Sequence, residues 1–327
     1  MPDFSNTLIV GISSRTLFDL EEENKLFHEQ GVIEYRKLQR SRENIELNPG
    51  TGYHLVKALL NLNKLSANTR LVEVIVMSRN SPETGVRILN SIKSLGLDIT
   101  RSAFTGGEKI TPYIDAFGVD LFLSKHEDDV QEIIDSGTSA AALILEPPTD
   151  FRPEFDTVRI AFDADAVLFS DESEQIYKSK GMDAFHKNES ENENIPLKEG
   201  PYGKLLKILS KIQQHMNTTI ELTPLRLAIV TARNSPSHMR VIKTLRDWDV
   251  YVDEAFFLGG MSKDKILKAF NAHIFFDDQD VHLNDSKKVV PSGKVPYKSN
   301  SPLFNGNKTK LKYNESIHPD TIIKLMK

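Results

Sequence analysis

"LVEVIVMSRNSP" occupies residues 71–82 and "LRLAIVTARNSP" residues 225–236. Each is an apolar, β-branched run that breaks into a polar turn, the pattern of a buried strand leading to a helix. The flanking sequence repeats as well. "TLIVGISSRTLFDLEEENKLF" (7–27) lies over "TVRIAFDADAVLFSDESEQIY" (157–177) at an offset of 150, which also sets Gly50 on Gly200. At an offset of 153, "FTGGEKITPYIDAFGVDLFLSK" lies over "FLGGMSKDKILKAFNAHIFFDD". Collinear blocks at nearly constant offset indicate an internal duplication. The proline-bearing "EPPTDFRPEFDT" (146–157) joins the copies, so domains are expected at 1–150 and 151–327.

Within each half, four apolar runs alternate with helical stretches, which predicts an α/β fold with parallel sheets covered on both faces. Ligands then belong at the carboxyl ends of the strands. Two stretches are expected to be irregular. "HKNESENENIPLKEG" (186–200) is polar and reads as a loop or flap, within a small insertion at 178–200. Residues 284–310, rich in Pro, Gly, Ser and Lys, read as a surface wrap.

Composition narrows the function. The 327 residues are 39% hydrophobic and 27% charged, ordinary for a soluble globular protein. A net charge of −5 excludes a general attraction to nucleic-acid polymers. The absence of cysteine removes disulfides, thiolate metal sites and thiol catalysis together. Neither a signal peptide nor a membrane-spanning run is legible, so a cytoplasmic protein is expected.

The second half carries a polar residue at each expected strand end: Asp163 and Asp165, then Thr231, then Lys263, then Asp277 and Asp278. Asp163 and Asp165 alone would read as a solvated strand end with a helix cap. All four elements in order resemble the haloacid-dehalogenase superfamily: D-x-D-x-[TV], a Ser/Thr, a Lys, and paired acids. The stretches "SSRTLFDLEE", "AFDADAVLFSDESE", "VTARNSP", "FLGG" and "FFDDQ" further resemble the cytosolic type I 5'-nucleotidases, over nearly the whole chain. The resemblance implies two tandem haloacid-dehalogenase-like (Rossmannoid) domains, the first degenerate. It also implies Mg²⁺-dependent hydrolysis of nucleoside 5'-monophosphates, with AMP and deoxynucleotides among the substrates, and a homo-oligomer. Alternatives are a phosphatase or phosphotransferase for another small phosphate ester, and a non-catalytic nucleotide sensor.

Physical chemistry assigns the roles. A carboxylate attacking a phosphate monoester meets charge repulsion, so a divalent cation must bridge the two. Asp163 is the expected nucleophile, and Asp165 the acid that protonates the leaving oxygen and later activates water. Asp163, the backbone carbonyl of Asp165, and Asp277 or Asp278 are the expected Mg²⁺ ligands. Thr231 and Lys263 are expected to hold the phosphoryl group. Lys265 competes with Lys263, which is preferred because it follows Gly259 and Gly260 at the spacing of the resembled family. Arg233, Asn234, Phe185 and His186 are candidate substrate contacts.

In the first half Ser13, Arg15, Ser124 and Lys125 replace the four acids, so formal charge there goes from −4 to +2. This half cannot run the same reaction, and a cover over the active site is one role for it. The resembled family is activated by ADP, which makes those four residues a candidate effector site. The competing reading pairs Arg15 and Lys125 with Asp19 and Glu127.

Overall fold

The structure, a computed structural model, describes residues 4, 6–66, 69–149, 151–216 and 223–304. Among them the strands are β1 (Leu8–Ile12), β2 (Val72–Ser78), β3 (Arg101–Phe104), β4 (Leu121–Ser124), β5 (Ala140–Ile144), β6 (Val158–Phe162), β7 (Leu225–Thr231), β8 (Glu254–Phe257), β9 (Ile274–Asp277) and β10 (Ser292–Lys294). They form one sheet in the order β3-β2-β1-β4-β5-β10-β9-β6-β7-β8. The order is the same read inward from either edge. Every neighbouring pair is parallel except β5 and β10, which meet antiparallel. The carboxyl ends of β1 and β6 therefore point to opposite edges of the sheet.

Helices join the strands: α1 (Ser14–Leu17), α2 (Glu21–Ser41), α3 (Tyr53–Leu62), α4 (Pro82–Ser94), α5 (Thr111–Ala116) and α6 (Glu127–Ser136) in the first half. The second half has α7 (Glu172–Glu191), α8 (Gly203–His215), α9 (His238–Asp247), α10 (Asp264–Phe270) and α11 (Asp280–Ser286). Local sequence explains them. Ser81 accepts a hydrogen bond from the Thr84 amide, and Pro82 opens α4 without an orphaned donor. Helix α8 buries Leu205, Leu206, Leu209 and Ile212, one face at helical spacing, and exposes Lys204 and Lys211. A single apolar cluster draws on both halves, from Leu8 to Val295. No helix of the described residues is long and apolar enough to cross a membrane.

Three expectations need correction. Each half has five strands, because β5 and β10 add to the four expected. Second, residues 186–191 are the end of α7, because Glu189 on its inner face is a buried ion-pair partner. The stretch 178–200 is no insertion: α2 has the same form, and Gly31 and Gly181 share φ 81° and ψ −177°, a left-handed break that suits glycine. Third, the stretch from 284 ends α11 and then enters the sheet as β10, while residues 305–310 lie outside the described residues. Gly293 admits this close approach, since a Cβ there would meet Ala142 at 3.0 Å and Phe276 at 3.1 Å.

The segment between the halves is tied down by His273. The Arg159 amide donates to its Nδ1 at 3.2 Å, and its Nε2–H donates to the Glu154 carbonyl at 2.5 Å. The bond accepted at Nδ1 requires the neutral ring, and burial pushes its pKa down to about 4. A depressed histidine contributes stability that is present above its unfolded pKa of 6.5 and lost as pH falls toward 4. The expected loss is about 3 kcal/mol by pH 4. Denaturant melts across that window should show it in the native protein and not in His273→Gln.

Candidate active site

Strand order reverses between β6 and β9, and Asp163 stands there at the end of β6, its amide donating to the Phe276 carbonyl at 2.8 Å. The chain then turns sharply through Ala166, at φ 59°. Asp277 and Asp278 end the adjacent strand, and one oxygen from each of Asp163, Asp277 and Asp278 lies within 4.8 Å of the others. Lys263, just before α10, is fully buried. Its Nζ stands 2.7 Å from Asp277 Oδ2 and 2.9 Å from Asp163 Oδ1. The contact with Asp163 is an ion pair between buried groups. Lys265 is exposed, which settles the competition in favour of Lys263 as the residue in the cluster. Thr231 is buried at the end of β7, and its hydroxyl accepts from the Arg233 amide at 3.2 Å, leaving its proton free to donate.

Burial governs the electrostatics. It pushes the Asp163 carboxyl up to about 6, with Lys263 opposing and Asp277 and Asp165 adding to the rise. Asp278 is raised well above the carboxylate range by burial, then by Glu174, Asp277 and Asp163. Burial alone would lower Lys263, but Asp163 and Asp277 prevail and hold it charged. Asp163 and Asp277 thus share one ammonium, beside the third buried carboxyl, Asp278. Asp163 Oδ1 and Asp278 Oδ1 are buried without a hydrogen bond. An all-oxygen donor set with orphaned oxygens fits a hard divalent cation. Asp277 is already committed, with Oδ2 on Lys263 and Oδ1 accepting from the Gln279 amide at 2.8 Å.

The Asp165 side chain stands apart from this cluster. Arg233 grips it with two hydrogen bonds, of 2.7 Å from Nε and 2.6 Å from Nη2. The same guanidinium donates to Glu189 at 2.5 Å, and Arg240 reaches the other Glu189 oxygen at 3.0 Å. Burial would depress Arg233, but Asp165 and Glu189 raise it above its usual value. Phe185 is buried with its ring 5.2 Å from the Arg233 guanidinium, so its face already has an occupant. His186 is half-buried, with Nε2 3.2 Å from Asn234 Oδ1. Arg233, Asn234, Phe185 and His186 therefore form one patch beside Asp165.

Three acids and phenols escaped the sequence reading. Glu189 supports Arg233 from within a polar stretch, and its spacing four residues after Phe185 was the available signal. Glu174 lies in an acidic run that reads as a solvated helix start. Tyr297, the one aromatic in 284–300, donates to Asp278 in a short hydrogen bond and lies 3.0 Å from both Glu174 oxygens. Burial and the two carboxylates raise its pKa, so it remains a protonated donor.

At the opposite edge of the sheet, Arg15 and Lys125 both bind Glu21, at 2.9 and 3.0 Å, and Lys125 also approaches Glu146 at 3.3 Å. They are ion-paired, but with Glu21 and Glu146 rather than Asp19 and Glu127, because α2 begins over the end of β1. The Ser13 hydroxyl lies 2.9 Å from that of Thr16, and Ser124 Oγ accepts from the His126 amide at 3.0 Å.

A buried acidic group that could hold a metal ion, beside a lysine and at the switch point of a mostly parallel sheet, defines the candidate site of an α/β protein. The profile of the 5'-nucleotidase family matches residues 1–302, and the chain belongs to that family. It is 35% identical to human cytosolic 5'-nucleotidase 1B over 296 residues, 88% of this chain and 48% of the relative. The chain thus spans about half the length of that curated relative. Among solved structures, histidinol dehydrogenase from Elizabethkingia anophelis aligns over 76% of this chain and 51% of its own, at 10% identity. Its TM-score of 0.23 carries no argument about fold or function.

Proposed function

We propose that the chain is a phosphoric monoester hydrolase that cleaves nucleoside 5'-monophosphates, AMP and deoxynucleotides among them, with Mg²⁺ as cofactor. The observation that carries this reading is the buried Asp163–Lys263–Asp277–Asp278 cluster in a member of the 5'-nucleotidase family. Asp163, and Asp278 with its unpartnered Oδ1, would hold the cation directly with the Asp165 carbonyl, while Asp277 fixes Lys263. Bound there, Mg²⁺ supplies charge neutralisation between the substrate phosphate and the attacking carboxylate.

Asp163 attacks phosphorus as the bond to the 5'-oxygen breaks, and Asp165 gives that oxygen its proton. Asp165 then takes a proton from water, which attacks the aspartyl-phosphate, releases phosphate and restores Asp163. Lys263 and the Thr231 hydroxyl hold the phosphoryl oxygens. Arg233 holds both oxygens of Asp165, so the acid role requires that pair to open. Phosphate release from a panel of nucleoside monophosphates and other phosphate esters, with Mg²⁺ and with EDTA, tests the reading. No release from any nucleotide would reject it.

The domain-level reading belongs to the same proposal: two haloacid-dehalogenase-like domains, 1–150 and 151–327, from a duplication, in a cytoplasmic homo-oligomer. The matching strand orders of the two halves support it. Shielding by the first half comes from α6, since its own strand ends face away. An ADP-like effector at Ser13, Arg15, Ser124 and Lys125 would have to displace Glu21. Calorimetry on an Asp163→Asn background should then show tighter ADP binding with Glu21→Gln and weaker binding with Arg15→Ala. Equal affinity across the three proteins would leave this half a scaffold.

A further inference from the structure

One route from the first half to the acidic centre runs through Tyr297. Beyond β10 the chain runs past α6, where Gln131 Nε2 donates to the Tyr297 carbonyl at 2.9 Å. Two residues on, Asp135 takes the Ser299 amide at 2.7 Å and the Ser299 hydroxyl at 2.6 Å. These bonds clamp the backbone at Tyr297 and just after it. The ring then reaches inward, with its hydroxyl on Asp278 Oδ2 and beside Glu174. Lys178 Nζ lies 3.3 Å from the same hydroxyl and 2.6 Å from Glu174.

A phenol has one proton to donate. Lys178 neutralises Glu174, which leaves Asp278 Oδ2 the better acceptor for that proton. That choice orients the carboxylate. Oδ2 is turned to the phenol, and Oδ1 is left buried and unpaired on a residue that clusters with Asp163 and Asp277. Partners of this kind around a metal ligand commonly change affinity 10- to 100-fold when removed.

We propose that Tyr297 is a positioning residue that aims Asp278 at the metal, and that Gln131 and Asp135 of the first half hold it in place. The inference rests on the cation site proposed above. It gives the first half a part in the reaction that needs neither a second active site nor an effector. Its contribution is a strap, fastened at α6 and ending on a metal ligand.

Calorimetric titration of the full chain with Mg²⁺ alone tests this without reference to turnover. Tyr297→Phe keeps the ring and is expected to weaken Mg²⁺ binding by about 10- to 100-fold. Phosphate release should need correspondingly more Mg²⁺ for half-saturation, with kcat restored at saturating Mg²⁺. The double variant Gln131→Ala/Asp135→Ala leaves every residue of the acidic centre in place, and should weaken Mg²⁺ binding by less than Tyr297→Phe does. It also keeps the test available if Tyr297→Phe does not fold. Native affinity in Tyr297→Phe would overturn the positioning role, and native affinity in the double variant would overturn the strap. A native protein that binds Mg²⁺ but cleaves no nucleotide would reject the proposed activity and leave this inference standing. One that binds no Mg²⁺ would reject both.

Discussion

Asp163→Asn is expected to lower turnover by at least about 10⁴-fold, the scale of losing a covalent nucleophile. The amide is nearly isosteric, but it has no charge to attack phosphorus and is a weaker ligand for a hard cation. The fold should survive. In the native protein Asp163 and Asp277 share the Lys263 ammonium beside a third buried carboxyl, and the substitution removes one of these crowded acids. Melting temperature should therefore stay level or rise in metal-free buffer while activity disappears. An active Asp163→Asn enzyme would move the nucleophile elsewhere.

Lys263→Ala should fail in a different way. Its Nζ sits between Asp163 and Asp277, and neither lysine nor carboxylates reach solvent. Removing it leaves two buried acids facing each other, a loss of about 3–5 kcal/mol for breaking a buried pair from one side. Added Mg²⁺ should restore part of that stability, because a cation replaces the missing charge. Turnover should stay down by about 10²–10³-fold even in excess Mg²⁺, since the phosphoryl group has lost a preorganised electrostatic partner. Lys265→Ala, on an exposed side chain, should leave both quantities near native. Melting curves and steady-state rates on the two variants check the ranking. The reverse order would give the phosphate-binding role to Lys265.

The centre of the site was legible because its chemistry is tied to strand ends, and apolar strands announce themselves. Asp163, Thr231, Asp277 and Asp278 each follow a run that only a buried strand explains. Lys263 was legible through its spacing after two glycines, and the structure buries it where Lys265 is exposed. What escaped notice lies on elements without such a pattern. Strand β10 is three residues long and reads Ser-Gly-Lys, so its place in the middle of the sheet comes from neighbours at β5 and β9. Tyr297 inherits that obscurity. Glu189 sits among polar residues because a buried acid and a solvated one have the same letter, and only Arg233 and Arg240 tell them apart. The partners of Arg15 and Lys125 were misassigned for a related reason. Glu21 and Glu146 are brought in by the path of α2 and of the chain after β5, which local spacing does not reveal.

The same geometry bears on Asp165. Its D-x-D spacing marks it as an acid near the nucleophile, but not that Arg233 holds it by both oxygens. The link between Arg233 and Glu189 means that opening this pair need not free the arginine, which stays anchored from behind. The acid can move while its partner remains in place.

The central claim is that phosphate passes through Asp163. Rapid acid quench of the enzyme turning over 5'-[³²P]AMP with Mg²⁺, followed by borohydride reduction, tests it directly. Reduction converts an aspartyl-phosphate to homoserine, so peptide mapping should find homoserine at position 163, dependent on substrate and absent with EDTA. Label trapped at another residue, or steady turnover with position 163 never modified, would contradict the account.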